Sequence, residues 1–122
     1  MKKKNKQERI NEAIRLLNNR YRIEYNSVRI NCHNTIEHEL AKTKLCYELI
    51  KDGYTIITEA IFLGDGRGDI FVPEKFRVYE ILHTETKEEA LKKTQKYPKE
   101  LEIFYKTSEE ILNMLKGKKQ TW

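Results

Sequence analysis

Asp69 and Glu80 interrupt the stretch Arg67–Leu82, RGDIFVPEKFRVYEIL, which is otherwise built mostly from Ile, Phe, Val, Tyr and Leu. The stretch reads as two strands joined by a turn at Pro73–Lys75. If Glu74 and Lys75 form a two-residue loop, Pro73 faces Phe76, Phe71 faces Val78 and Asp69 faces Glu80. A four-residue loop keeps that register, whereas a three-residue loop puts the two acids on opposite faces. Directly opposed residues hold their Cβ atoms about 5 Å apart. Two carboxylates at that distance repel unless something neutralises them. A hard divalent cation does so, because Mg²⁺ prefers oxygen ligands and binds through one or two carboxylates. Glu59 lies near the end of the preceding apolar run and, by alternation, shares a face with Ile57 and Ile61. Glu59, Asp69 and Glu80 then converge at one end of a sheet. The blander reading places Glu80 at a sheet edge, paired with Arg77 or Lys92.

The elements that must position these acids follow from periodicity and caps. Ile10, Ala13, Ile14 and Leu17 recur at helical spacing and predict an amphipathic helix over 6–20. In 21–32, YRIEYNSVRINC, Tyr21, Ile23 and Tyr25 alternate with polar residues, which suggests an extended segment. Arg20, Arg22 and Arg29 interleave with the tyrosines, either as a basic-aromatic strip for nucleic acid or as an ordinary connector with snorkelling arginines. A second helix is expected over 35–52, capped by Asn34 with Glu37 three residues on. Ile36, Leu40, Thr43, Tyr47 and Ile50 lie on one of its stripes, and Gly53 ends it. YTIITEAIF (54–62) reads as a strand and LGDGRG (63–68) as a glycine-rich loop before the hairpin. Thr86 and Glu89 form a capping box for a third helix that Pro98 stops. LEIFY (101–105) is another strand, and Thr107 with Glu110 caps a last short helix carrying Ile111, Leu112 and Leu115. The order gives an α/β domain: a three-strand antiparallel meander, then a crossover helix into a further strand, flanked by helices. Residues 34–116 form that core, residues 1–33 supply a basic arm, a helix and the extended segment, and 117–122 is a frayed tail.

With 122 residues, the chain is sized for a single domain. Its 24 basic and 19 acidic residues leave a net charge of +5, a mild excess compatible with a polyanionic partner. No apolar run is long enough to span a membrane. MKKKNKQER has no apolar stretch behind it, so it is not read as a signal peptide, and a cytoplasmic location is expected. Cys32 and Cys46 do not resemble a disulfide framework. With His33 and His38 they fit no standard zinc spacing.

The whole order of parts resembles the core of the PD-(D/E)XK nuclease superfamily, and within it the small archaeal Holliday-junction-resolvase-like members. The resemblance covers roughly Asn34 to Met114, with GYTIITEAIFLGDGRGDIFV similar to the passage through the motif aspartate and FRVYEIL to the strand of the second acid. It implies a restriction-endonuclease-like core with Asp69 and Glu80 as catalytic acids binding Mg²⁺, or Mn²⁺ in its place. It maps the helix acid onto Glu39, beside Glu37 and His38. It implies a DNA substrate and a homodimer, because two cuts in a junction need two sites. The family's lysine should stand two residues after the second acid, where this chain has Leu82. Three cations could replace it: Lys93, His83 and Lys42. Lys93 is ranked first because K-x-x-x-Y (Lys93 to Tyr97) resembles a helix-borne Q-x-x-x-Y motif of parts of the superfamily. Arg67, between Gly66 and Gly68, would grip the backbone, and Lys42, Arg22 and Arg29 are further candidates for phosphate contact. The alternative function is a catalytically inactive relative that binds nucleic acid or protein.

Overall fold

The computed structural model describes residues 3–114. Helix α1 spans Lys6–Ala13, with the Asn5 side chain accepting the Glu8 N–H at its start. The helical period continues in the sequence, but the helix ends there and passes through a 3-10 turn at Ile14–Leu16. The sheet explains the early stop. Leu17 is extended and bridges Phe62, and the Asn18 N–H donates to the Ile61 carbonyl. A longer helix would need that N–H for itself.

Helix α2 spans Ile36–Lys51. Its cap is Thr35, whose side chain accepts the His38 N–H, and not the expected Asn34. Gly53, at φ 91°, closes the far end, with its N–H on the Ile50 carbonyl. The stripe of Ile36, Leu40, Tyr47 and Ile50 stays exposed. The face turned inward carries Ala41, Leu45, Cys46 and Leu49 together with His38, Glu39 and Lys42. Ala41 and Cys46 are small, which lets this face lie close to the sheet.

Strands β1 (Ile57–Ile61), β2 (Arg67–Val72) and β3 (Arg77–Leu82) form the antiparallel meander, and helix α3 (Lys87–Thr94) leads into β4 (Glu102–Thr107), parallel to β3. The order is β1-β2-β3-β4, a mixed sheet in which β3 is interior. β1 begins later than the apolar run predicts because Ile56 exchanges hydrogen bonds with Asn26 of the preceding connector. β4 begins and ends slightly later than the sequence suggests. The β2–β3 connection is a 3-10 turn at Pro73–Lys75 with Phe76 at φ 49°. Val72 pairs with Arg77, so four residues connect the strands and the register expected for the acids is kept.

Two clusters pack on the sheet. One joins Ala41, Leu45, Cys46 and Leu49 of α2 to Ile56, Ile70, Val72, Tyr79 and Ile81. The other joins Ala13 and Leu17 to Ile57, Ala60, Phe62, Phe71, Val78 and Tyr97. α3 starts with the expected Thr86–Glu89 capping box. It ends at Thr94, before Pro98, where the Thr94 hydroxyl bonds back to the Ala90 carbonyl. Helix α4 (Ser108–Met114) starts where Thr107 and Glu110 exchange hydrogen bonds. Leu115 and the 117–122 tail lie outside the described residues. Among the described residues no helix is long and apolar enough to cross a membrane.

Candidate active site

Pairs Thr58↔Ile70 and Ala60↔Gly68 flank Glu59 and Asp69, and pair Ile70↔Tyr79 carries the register on to Glu80. The three acids therefore occupy one row across β1, β2 and β3. The backbone ladder lapses at this row, and the acids take its place. The Asp69 N–H donates to Glu80 Oε2 at 3.0 Å, and the Ile81 N–H donates to Asp69 Oδ2 at 2.8 Å. Glu59 sits at φ 52°, a left-handed conformation that costs a residue with a Cβ of order 1–3 kcal/mol. That twist breaks the strand's alternation: Ile57 and Ala60 both enter the Phe71 cluster. Glu59 does not share the face of Ile57, as alternation predicts, but turns to α2, where Lys42 Nζ lies 3.6 Å from its Oε2.

Glu80 is 2% exposed on an interior strand, so the sheet-edge reading with Arg77 or Lys92 does not hold. Arg77 pairs with Glu102. Glu80 Oε1 accepts the Tyr97 hydroxyl at 3.0 Å and stands 3.7 Å from Lys93 Nζ. Burial and the neighbouring Asp69 push the Glu80 carboxyl up to about 7, against the opposing pull of Lys93. Burial lowers Lys93, but Glu80 and Asp69 outweigh it and keep the ammonium protonated well into the alkaline range. Gly66 makes room for this arrangement, since a Cβ there would lie 2.5 Å from the Tyr97 ring.

The first turns of α2 supply the rest. His38 Nε2 is 3.4 Å from Asp69 Oδ2, and its Nδ1 is 3.1 Å from Glu39 Oε2. Burial would depress His38, but hydrogen bonds and charge from Asp69 and Glu39 raise it to about 9, so it is a cation at neutral pH. Lys42 is fully buried, with Nζ 2.8 Å from Glu39 Oε1. Burial would raise Glu39, but Lys42, the Asn31 N–H and His38 together hold its carboxyl below the usual range. Asn31 also donates its side-chain amide to Glu59 Oε1 at 3.0 Å, and Arg67 lies 3.9 Å from the same oxygen.

The fold thus gathers Glu39, Glu59, Asp69, Glu80, Lys42, Lys93 and Arg67 into one chain of contacts. His38, expected only as a neighbour of the helix acid, and Asn31, for which the sequence predicts no role, belong to that chain. The signal for His38 was its position one turn before Lys42; Asn31, on the connector, carried none. Lys42 faces the acids and offers no surface to a phosphate. Arg22 is exposed and Arg29 pairs with Glu24, both to one side of the cluster. Leu82 is buried, and His83 pairs with Ser108 instead of an acid. Cys32 is exposed, whereas burial pushes the Cys46 thiol up to about 12, unsuited to metal ligation. Among the described residues, no three His, Cys, Asp or Glu side chains are grouped so as to hold a metal ion as they stand. No protein-family model matches the chain, and comparison with curated proteins and with solved structures finds no match either.

Proposed function

We propose that the acid row is the centre of a metal-dependent nuclease that hydrolyses phosphodiester bonds in DNA, on a restriction-endonuclease-like core. The observation that carries this reading is the row itself. Glu59, Asp69 and Glu80 stand in register across three strands at the point where the backbone ladder lapses. The donor chemistry fits Mg²⁺ or Mn²⁺, because all three are hard oxygen ligands. Glu59 Oε2 is buried without a hydrogen bond, and Glu80 resists ionisation beside Asp69, which a divalent ion would relieve. Asp69, Glu80 and Glu59 would hold the metal, which when bound activates water and polarises the phosphate.

The chain's own residues do the remaining work. The Tyr97 hydroxyl and the Asp69 N–H fix the orientation of Glu80. His38 and Lys42 offset the acids from the α2 side and keep the row from repelling itself apart. Lys93 is half-exposed and stands beside Glu80, so it can turn its ammonium to the charge that develops on the phosphate, the task that Leu82 cannot perform. Arg67, more than half exposed, is placed to grip the backbone. A junction substrate would engage two copies of the chain. Leu91 is exposed for such a contact, while Leu112 packs against the core.

A second reading, an inactive nucleic-acid-binding module, is favoured by a different observation. Each acid already has a side-chain cation: Lys42 at Glu59, His38 at Asp69 and Lys93 at Glu80. Paired acids of this kind need no metal and do not repel a polyanion. The experiment that separates the two uses single-stranded, duplex and four-way-junction DNA with Mg²⁺, Mn²⁺ or EDTA, beside Asp69→Asn and Glu80→Gln, with folding checked by circular dichroism. Cutting that needs metal and is lost in both folded variants supports the nuclease. Binding without cutting under every condition overturns it in favour of the module.

A further inference from the structure

A groove of about 350 Å³ opens beside the acid row, lined by Tyr21, Arg29, Asn31, His33, Glu59 and Arg67 among others. Its inner end is Glu59, so the groove and the candidate active site share a wall. The Tyr21 ring is half exposed at the outer end. Its backbone is held by an N–H bond to the Asn18 carbonyl, so the ring sits on an anchored turn. Arg29 and Arg67 flank the groove with side chains that are 40% and 54% exposed, each guanidinium within 4 Å of one carboxylate. Arg20 and Arg22 stand exposed on the same segment, and among the described residues neither makes an ion pair. The groove's own lining carries two arginines, Arg29 and Arg67, against one acid, Glu59.

We infer that this groove is a subsite for an unpaired nucleic-acid strand, with one base stacked on Tyr21 and the adjoining phosphates held by Arg29 and Arg67. The inference deepens the nuclease reading by naming its substrate class, and it rests on that reading for the direction in which the strand leads. A duplex keeps its bases stacked inside and offers an outer surface of phosphates. An aromatic ring beside an arginine-flanked groove suits a strand whose bases are free, because every base has a π-face and stacking needs no sequence. Guanidinium groups add bidentate phosphate contacts and can also stack on bases. A strand seated there would run its backbone past Arg67 to the acid row. The preferred substrate is then DNA with a single-stranded arm or end, not a continuous duplex.

Fluorescence anisotropy in EDTA measures this binding without any chemistry, using labelled oligothymidylate and a duplex of equal length at one fixed salt concentration. The single strand should bind more tightly. Tyr21→Ala should weaken single-strand binding by about 5- to 150-fold, the range for losing one stacked base, and leave duplex binding unchanged. Arg29→Gln should weaken it and reduce its salt dependence. Photocrosslinking of an iodouracil-bearing strand should mark Tyr21. Equal binding of both forms, or a folded Tyr21→Ala protein that binds the single strand like the wild type, overturns the inference. The two readings fail separately. Tyr21-dependent binding without metal-dependent cutting keeps the groove and removes the nuclease. Metal-dependent cutting with Tyr21→Ala binding unchanged keeps the nuclease and removes the groove.

Discussion

Lys42→Met tests whether the cluster is held together by its own charges. Methionine keeps most of the length and the apolar stem but removes the ammonium. Lys42 is 0% exposed, and its partners Glu39 and Glu59 are 9% and 8% exposed, so solvent does little to screen the loss. Removing one member of a buried ion pair costs about 3–5 kcal/mol, because the remaining charge is left buried. Glu39 retains the Asn31 N–H and His38, which moderates its share. Glu59 Oε2 has no hydrogen bond to fall back on. For a domain of this size the loss corresponds to a fall of roughly 10–25 °C in Tm. The assay is thermal unfolding by circular dichroism at neutral pH in EDTA. Lys42→Met with Glu59→Gln should recover part of the loss, since residues in one network couple by about 0.5–3 kcal/mol. The gap should also narrow in acid. Lys42 holds the Glu39 carboxyl below its unfolded value of about 4.5, so this contribution is present above that pH. It disappears as pH falls through the lower folded value. A Tm shift under about 3 °C, or strict additivity in the double variant, would refute the reasoning.

The other predictions concern protons and close packing in the same cluster. His38 should titrate near pH 9 by NMR in the metal-free protein, and Asp69→Asn should move it down, because Asp69 is the main group raising it against burial. Glu80, raised by burial and Asp69 to about 7, keeps a proton in the folded state that the unfolded chain releases at about 4.5. Its contribution therefore falls as pH rises from about 4.5 to about 7, and Glu80→Gln should remove that slope from a plot of Tm against pH. Gly66→Ala puts a Cβ 2.5 Å from the Tyr97 ring and should displace the hydroxyl that orients Glu80. It should lower any metal-dependent cutting more than Tyr97→Phe does, and a Gly66→Ala protein with full activity would contradict the role given to Tyr97.

Much of the frame was legible because it depends on local rules. The meander follows from alternating apolar residues around Pro73–Lys75, which leave two registers open, and the four-residue connection selects the one that places Asp69 across from Glu80. The Thr86–Glu89 box marks the start of α3 because both bonds form within one turn. Lys93 could be singled out from its K-x-x-x-Y spacing to Tyr97, and it stands 3.7 Å from Glu80. The rest was decided between elements distant in sequence. α2 has two apolar stripes, and only docking on the sheet chose the one bearing Ala41, Leu45 and Leu49, leaving Leu40 and Tyr47 outside. That choice carries His38 to Asp69 and Lys42 to Glu59, contacts that no short-range pattern encodes. Glu59 turns to α2 through a left-handed backbone that strand alternation does not foresee. The sequence by itself determined the strands that carry the acids, because strand period is local, while the four-residue turn of the folded hairpin chose the register that puts Asp69 and Glu80 in one row. Tertiary structure alone decided which cations meet them, because burying a charge is tolerable only where packing brings a partner to it.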